Sequence, residues 1–280
     1  MKLDIIVNKY LLIWHLLYQS SVSGEIHSLK QELWNSHKGL YAKVHDDKDE
    51  ILSSFDNFIP DDDLIYNLIE SSPYYRKIKK DTNRYRLNIL EIWDHNRKRY
   101  LKEIKDILKF SFSCEYKICV IHPDLDVVET DFDRKIITIG KKIITHDKDN
   151  FLSYLMYKII KSEMSNYSYD DYSIFEAVCE LCITNELYTR VTGSSKYSIG
   201  KKELRSIKKK IYPYFLMYLG VSFDDFDKYM VRDNIFFNKD SYDYVDLSSF
   251  DVFSFIDYLS KHKKSVFKMR QSISSGLEIL

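Results

Sequence analysis

The sequence predicts an α+β protein that is predominantly helical and has a small central β-sheet. Long segments place apolar residues at helical spacing, whereas two short apolar runs have the length and composition of strands. Only 7 glycines and 4 prolines occur in 280 residues, which favours long helices over a turn-rich β protein. Hydrophobic residues make up 45% of the chain, so we expect a sizeable buried core.

Three regions are predicted along the chain from these patterns. They are an N-terminal helical region at 1–80, a central α+β region at 81–192 and a C-terminal helical region at 193–280. Apolar periodicity predicts further helices within the first and last regions. These predicted helices lie near 5–20, 25–45, 63–80, 201–218 and 249–262.

The central region combines a helix, two strands and two further helices. An amphipathic segment from Leu87 to Phe110 places its apolar residues close to helical spacing. Two runs of strand length follow, Tyr116 to Ile121 and Lys135 to Ile139, with an acidic loop between them. Helical patterns then cover Phe151 to Met164 and Ile174 to Glu180.

This order of helix, sheet and two helices resembles the N-terminal half of a glutamate-type zincin, a zinc metallopeptidase family, over roughly residues 85 to 190. In zincins the motif H-E-x-x-H supplies two zinc-binding histidines and a glutamate that acts as general base. The corresponding residues here are Tyr157, Lys158 and Lys161. The second helix places Glu176 at the position of the family's third metal ligand. The resemblance therefore implies a zincin-like core with a degenerate site.

The three substituted residues do not suit zinc chemistry. A lysine ammonium has no free lone pair, and a phenol with a pKa of about 10 is mostly protonated at neutral pH. Lys158, at the position of the general base, carries a charge of the wrong sign. The sequence therefore predicts no bound metal and no cofactor. The resemblance also implies that Lys161 or Lys158 points toward Glu176, where an ammonium would replace part of the charge of the lost zinc.

A second interpretation of the same residues involves no relation to metallopeptidases. Helix and sheet would then simply pack together, with Lys158 and Lys161 solvated and Glu176 an ordinary surface carboxylate. The two interpretations differ in whether these side chains are buried and paired.

The resemblance implies a non-catalytic pseudo-metallopeptidase that acts as a peptide- or protein-binding partner subunit. A peptidase fold that binds extended peptides beside its sheet edge can continue to recognise a polypeptide after the metal is lost. The expected binding residues are Tyr157, Lys158, Lys161, Glu176 and Glu180. One alternative is an enzyme that reuses the cleft, with a lysine and Glu176 as acid–base groups, if burial lowers the pKa of that lysine.

Another alternative is a helical protein that binds nucleic acid through the basic segment 201–210. Apolar residues at helical spacing leave Lys208, Lys209 and Lys210 on the opposite side of this helix. However, 42 basic residues balance 42 acidic ones, so no overall field attracts nucleic acid or an anionic membrane. A solvated amphipathic helix is the simpler interpretation, and a polypeptide partner is preferred.

Cysteine usage and the N-terminus favour a cytoplasmic protein. Four cysteines fit a reducing compartment, and Cys179 and Cys182 form a C-x-x-C pattern inside an apolar helical segment, where core packing is expected. The run from Tyr10 to Tyr18 faintly resembles the apolar part of a signal peptide. His15 interrupts this run, so a buried or partner-binding first helix is preferred. No other stretch approaches the length needed to span a bilayer.

Overall fold

The computed structural model describes residues 1–19, 24–141, 148–193, 200–226 and 244–268. Within them the fold is mostly helical with one four-stranded sheet, so the predicted α+β class is confirmed. The strands are β1 Lys2–Ile6, β2 Glu115–Val120, β3 Val127–Asp131 and β4 Ile136–Gly140. The α-helices are α1 Lys9–Tyr18, α2 Glu25–His37, α3 Tyr41–Val44, α4 Asp47–Ser53, α5 Leu64–Ser71, α6 Pro73–Leu108, α7 Lys148–Ser165, α8 Tyr172–Cys179, α9 Tyr188–Thr192, α10 Arg205–Tyr218, α11 Val252–Lys261 and α12 Lys263–Lys268. A π-helix, Glu180–Leu187, connects α8 to α9, and short 3-10 helices cover Lys38–Leu40, Pro123–Leu125, Lys202–Leu204 and Phe223–Asp225.

Two compact units divide the chain. The first unit comprises residues 1–96 and 113–148, and the second comprises residues 97–112 and 149–280. This division differs from the three regions predicted at 1–80, 81–192 and 193–280. The sheet shares a unit with the N-terminal helices because β1 is one of its strands, whereas α7 and α8 share a unit with the C-terminal helices.

The sheet belongs to the first unit and has the strand order β1-β2-β4-β3. β1, β2 and β4 are mutually parallel, with Ile5 opposite Ile118 and Ile118 opposite Ile137. β3 runs antiparallel to β4 at one edge. Every residue of β4 is buried, which explains its continuous apolar sequence. The two strands predicted from 116–121 and 135–139 are thus confirmed as β2 and β4.

Strands β1 and β3 were not predicted, and the expectation of a helix from residue 5 was wrong at its start. α1 begins at Lys9, and the side chain of Asn8 caps it by accepting hydrogen bonds from the backbone N–H groups of Tyr10 and Leu11, both at 3.0 Å. β1 was not predicted, because its partner strand β2 lies more than a hundred residues away in the sequence. β3 carries three polar residues in five, so the sequence favoured a loop.

Helix α6 is 36 residues long and joins the second half of the helix predicted at 63–80 to the helix predicted at 87–110, whereas the first half of 63–80 forms α5. The break falls earlier than expected, between α5 and α6, where Pro73 opens the long helix at a position that needs no amide donor. The sequence did not predict one continuous helix, because the stretch between the two predicted segments is mostly polar. Thr82 and Tyr85 of this stretch are nevertheless buried. α4, Asp47–Ser53, lies outside the predicted helices, and its acidic first turn suits a helix N-terminus.

Helix α1 lies in the core of the first unit. Leu11, Leu12 and Leu16 are fully buried and belong to one hydrophobic cluster with Cys119 and Ile121 of the sheet region. This confirms a buried first helix, although residues 20–23 of the stretch that resembles a signal peptide lie outside the described residues. No described helix is both long enough and apolar enough to cross a membrane.

His15 is a buried polar residue within α1. Neither ring nitrogen has a hydrogen-bond partner among the described residues, and Nε2 lies 3.8 Å from Glu129 Oε2. Burial lowers the pKa of His15 to about 4; the charge of Glu129 opposes this shift and that of Lys48 adds to it. The imidazole is therefore neutral in the folded protein at physiological pH.

We predict that acidification destabilises the protein through His15. The unfolded chain binds a proton at His15 near pH 6.5, whereas the folded chain does so only near pH 4. The free energy of unfolding is therefore unaffected by His15 above pH 6.5 and falls by about 3 kcal/mol as the pH is lowered from 6.5 to about 4. Urea unfolding of the wild type and of His15→Phe at both ends of the window measures the effect. An equal loss in the two proteins would contradict the prediction.

Candidate binding site

Helices α7 and α8 of the second unit carry the residues that the sequence singles out. α8 begins at Tyr172 and is capped by Asp171, whose Oδ1 accepts hydrogen bonds from the backbone N–H groups of Ser173 at 2.9 Å and Ile174 at 3.3 Å. Burial acts to raise the pKa of Asp171, but hydrogen bonds from Lys263 and Ser173 lower it to about 2. This charged cap fixes the start of the helix that presents Glu176.

Lys161 of α7 and Glu176 of α8 form an ion pair, as the resemblance implied for one of the two lysines. The ammonium of Lys201 lies 2.9 Å from the same carboxylate oxygen, Oε1. Only 15% of the Lys161 side chain and 13% of the Glu176 side chain is exposed. The interpretation of both as solvated surface residues is therefore wrong.

The pair shifts the pKa values of both partners. Burial works against each charge, lowering the pKa of Lys161 and raising that of Glu176. Hydrogen bonds and opposite charges together outweigh burial. Glu176 and Tyr172 raise the pKa of Lys161, and Lys161 and Lys201 lower the pKa of Glu176. Both groups therefore stay charged at neutral pH.

Glu180 is the most buried carboxylate of the site, with 3% of its side chain exposed. Its Oε2 accepts from the ammonium of Lys208 at 2.7 Å, and its Oε1 accepts from the backbone N–H of Lys201 at 3.0 Å. A Cβ on Gly200 would lie 2.0 Å from Glu180 Oε2, so any larger residue there would force the Glu180 carboxylate to move. Glu180, predicted as a binding residue, thus holds residues 200–201 and helix α10 in place.

Lys158 differs from Lys161, although both lie on α7. Its ammonium forms no ion pair with any described residue and lies 5.4 Å from the ring centroid of Tyr154. Burial lowers the pKa of Lys158, and the positive charges of Lys161 and Lys201 lower it further. The two lysines that the sequence treated as alternatives therefore have opposite pKa shifts.

Tyr157 occupies the position of the first zinc-binding histidine in the resemblance. Only 7% of the residue is exposed, and its hydroxyl has no hydrogen-bond partner in the described part of the chain. Burial raises the pKa of Tyr157, and the nearby acidic groups of Cys179, Glu180 and Glu176 raise it further. The phenol is therefore neutral at physiological pH.

We call the charged residues at this site the lysine–glutamate cluster. It includes Lys201, which the sequence placed in the basic segment 201–210; its contact with Glu176 was not predicted, because no periodic pattern connects it to α7 or α8. Its members are Lys158, Lys161, Lys201, Lys208, Glu176 and Glu180.

The basic helix predicted at 201–218 forms as α10 after a short 3-10 helix, and Lys208, one of the lysines predicted to face nucleic acid, is already paired. The side chain of Lys208 is 12% exposed and binds Glu180, whereas Lys209 is exposed and Lys210 is half-buried. The surface offered to a phosphate backbone is therefore smaller than the sequence suggested.

The cysteines of the second unit pack in its core, as predicted. Cys179 and Cys182 are buried free thiols, and burial raises the pKa of both. Cys179 Sγ lies 3.8 Å from Met164 Sδ. Among the described residues, no three His, Cys, Asp or Glu side chains are grouped so that they could hold a metal ion.

Comparison of the chain with protein-family models, with curated proteins and with solved structures finds no match. The relation to glutamate-type zincins therefore stays a prediction from the sequence pattern.

We predict that Glu176→Gln lowers the free energy of unfolding by about 2 kcal/mol, because it leaves the largely buried ammonium of Lys161 without its counterion. Lys161→Met should cost less, about 1 kcal/mol, since Lys201 still pairs with Glu176. The folded pKa of Glu176 is lowered, so its contribution is present above about pH 4 and is lost as pH falls further. Urea unfolding at neutral and acidic pH measures both effects, and near-zero changes in both variants would show that the pair has no structural role.

Lys208 and Lys209 provide a matched comparison on one helix. Lys208→Met should destabilise the protein by about 3 kcal/mol, because the carboxylate of Glu180 is buried and loses its ammonium. Lys209→Met removes the same charge from an exposed position and should change stability by less than about 0.5 kcal/mol. Thermal or urea unfolding of both variants tests the difference. Equal effects would mean that Glu180 does not depend on Lys208.

Proposed function

We propose that the protein is a non-catalytic pseudo-metallopeptidase that binds a polypeptide as a partner subunit. Two features support the proposal, one in each unit. The first is the contact between lysines and Glu176 at the position where the zincin resemblance places zinc. The second is an exposed sheet edge with a cavity beside it.

The lysine–glutamate cluster supports the non-catalytic part of the proposal. Glu176 Oε1 accepts hydrogen bonds from two ammonium groups, those of Lys161 and Lys201. A zinc ion that approached this oxygen would have to displace both charge-assisted bonds and would be repelled by both cations. The arrangement therefore takes over the role of a metal in neutralising Glu176 without supplying a Lewis acid.

Strand β3 carries the polypeptide-binding part of the proposal. In the described residues β3 pairs with β4 alone, so its other side presents unpaired backbone N–H and C=O groups. An extended peptide can add to such an edge as another strand. A cavity of about 450 Å³ lies beside this strand, within the range of ligand-binding clefts. Phe132, which is 44% exposed, lines the cavity and offers an apolar contact.

The charges of this cavity indicate the type of peptide. Four acidic residues and two basic residues line it, and both basic side chains are already paired: Lys48 with Glu129 at 2.7 Å and Arg134 with Asp131 at 2.6 Å. The remaining acidic side chains are those of Asp49 and Asp133. A peptide with lysine or arginine residues would complement this surface.

The alternative of an enzyme that reuses the site is favoured by one observation. The pKa of Lys158 is lowered, which is the direction that a lysine base or nucleophile requires. Lys161 is unsuited to that role because its pKa is raised by Glu176. The alternative therefore depends on Lys158.

We expect selection from a displayed random-peptide library to yield peptides rich in lysine or arginine, with dissociation constants of about 1 µM, the range of modest edge-strand interfaces. Phe132→Ala should weaken the selected peptide by about tenfold, since it removes an apolar contact in the cavity. Leu87→Ala is the matched control, because Leu87 is also exposed in the first unit but does not line the cavity. Titration calorimetry measures the three affinities.

Mass spectrometry of the recovered peptide tests the non-catalytic part separately. An intact peptide agrees with a binding protein, and a cleaved or modified peptide would favour the enzyme. If no peptide is selected, or if Phe132→Ala and Leu87→Ala behave alike, the sheet-edge proposal fails.

A further inference from the structure

Strand β1 forms the edge of the sheet opposite to β3, and among the described residues it pairs with β2 alone. The backbone N–H of Lys2 donates to the carbonyl of Cys114 at 2.8 Å, and Lys2 lies opposite Glu115 in the register. In a parallel pair, residues that bond the neighbouring strand alternate with residues whose backbone groups point away from it. The N–H and C=O groups of Leu3 therefore point to the free edge.

The backbone of Ile5 has the orientation that this alternation requires. Its carbonyl accepts a hydrogen bond from Arg86 Nη1 of α6 at 3.4 Å and so points away from β2. Leu3 lies two residues earlier and has the same orientation. An unpaired edge of this kind is a template for another strand. Leu3 therefore offers one donor and one acceptor to such a strand.

The charges of β1 determine which strand its edge can accept. Lys2 and Asp4 are exposed, and their side chains share one face of the sheet because side chains alternate along a strand. Lys2 pairs with Glu115 at 2.5 Å, whereas Asp4 forms no ion pair with a described residue. A cation and an anion two residues apart form a pattern that is complementary to itself when a second strand runs antiparallel.

We propose that β1 pairs with β1 of a second copy of this chain, in antiparallel orientation and with Leu3 opposite Leu3 on a two-fold axis. Residues whose backbone groups point outward must face each other for the two strands to exchange hydrogen bonds. A register centred on Lys2 would oppose two lysines, and one centred on Asp4 would oppose two aspartates. The register centred on Leu3 instead places Lys2 of each copy opposite Asp4 of the other.

Strand β2 extends this match of charges. Lys117 lies beside Asp4 in the register, as Glu115 lies beside Lys2. One row of side chains would then cross the interface with the sign of the charge alternating at every step. Its members are Glu115 and Lys2 of one copy, followed by Asp4 and Lys117 of the other. Neighbouring opposite charges across strands stabilise a sheet, whereas like charges destabilise it.

The other face of the sheet contributes an apolar contact. Leu3 is half-buried in the single chain and lies beside Tyr116, which is fully buried. The proposed register brings the two Leu3 side chains together next to both tyrosines. Because few residues take part, the dimer belongs to the weak and transient class of interfaces. The β3 edge is on the opposite side of the sheet, so this pairing is independent of the proposed peptide site.

Sedimentation equilibrium of the untagged chain at low ionic strength tests the pairing. We expect a monomer–dimer equilibrium with a dissociation constant of about 100 µM. Salt at about 0.5 M should weaken the dimer, because exposed charge pairs are screened. A chain that remains monomeric up to about 1 mM, at ten times the expected constant, would overturn the proposal.

Two charge reversals test the register. Lys2→Asp and Asp4→Lys each oppose like charges in a self-pair, so each should weaken self-association by at least about tenfold. An equimolar mixture of the two variants restores both opposite-charge pairs and should associate as tightly as the wild type. If the mixture does not recover, the register is wrong. If either variant alone dimerises like the wild type, the interface lies elsewhere.

Two further variants serve as controls, and circular dichroism checks the fold of each. Asp61→Lys makes the same change of charge at an exposed residue of the first unit outside the sheet, and it should leave the dimer unchanged. An effect equal to that of Asp4→Lys would show that net charge alone matters. Leu3→Pro removes the outward N–H but no hydrogen bond to β2, and it should abolish association without any change of charge. Unchanged dimerisation of Leu3→Pro would overturn the proposal even if a charge variant failed to fold.

Discussion

The carboxylate of Glu180 is buried in the second unit, and a buried carboxylate is stable only if cations or donors surround it. Two groups meet this requirement, the ammonium of Lys208 on α10 and the backbone N–H of Lys201. The first contact ties α10 to the start of the π-helix. The second brings Lys201 close enough for its ammonium to reach Glu176. The positions of Lys201 and Lys208 therefore depend on the burial of this one acid.

The two glutamates lie one helical turn apart but have different contacts. Glu176 pairs with the ammonium groups of Lys161 and Lys201. Glu180 lies against Gly200 and binds Lys208 and the backbone of Lys201. Among the described residues, Lys158 pairs with neither glutamate.

The sequence predicted much of the fold because its signals were local. The helical periodicity of α7 and α10 and the apolar runs of β2 and β4 can each be recognised within a window of one element. β1 could not be recognised in this way, since a five-residue strand becomes stable only by pairing with β2 across a long stretch of chain. The contact of Lys161 with Glu176 followed from the family resemblance. The contacts of Lys201 with Glu176 and of Lys208 with Glu180 could not be predicted in this way, because a sequence pattern does not show which distant residues of the chain come together.

The π-helix Glu180–Leu187 affects how this chain can be compared with others. A π-helical turn accommodates more residues than an α-helical turn, so residues on either side of it no longer follow one α-helical register. Glu176 lies before this segment and keeps the spacing of an ordinary helix. Arg190, which binds Glu186 at 2.7 Å and Glu103 at 3.5 Å, lies after it. A motif derived from a regular helix can therefore be aligned up to Glu176 without a gap, but beyond Glu180 the same alignment would assign residues to the wrong face.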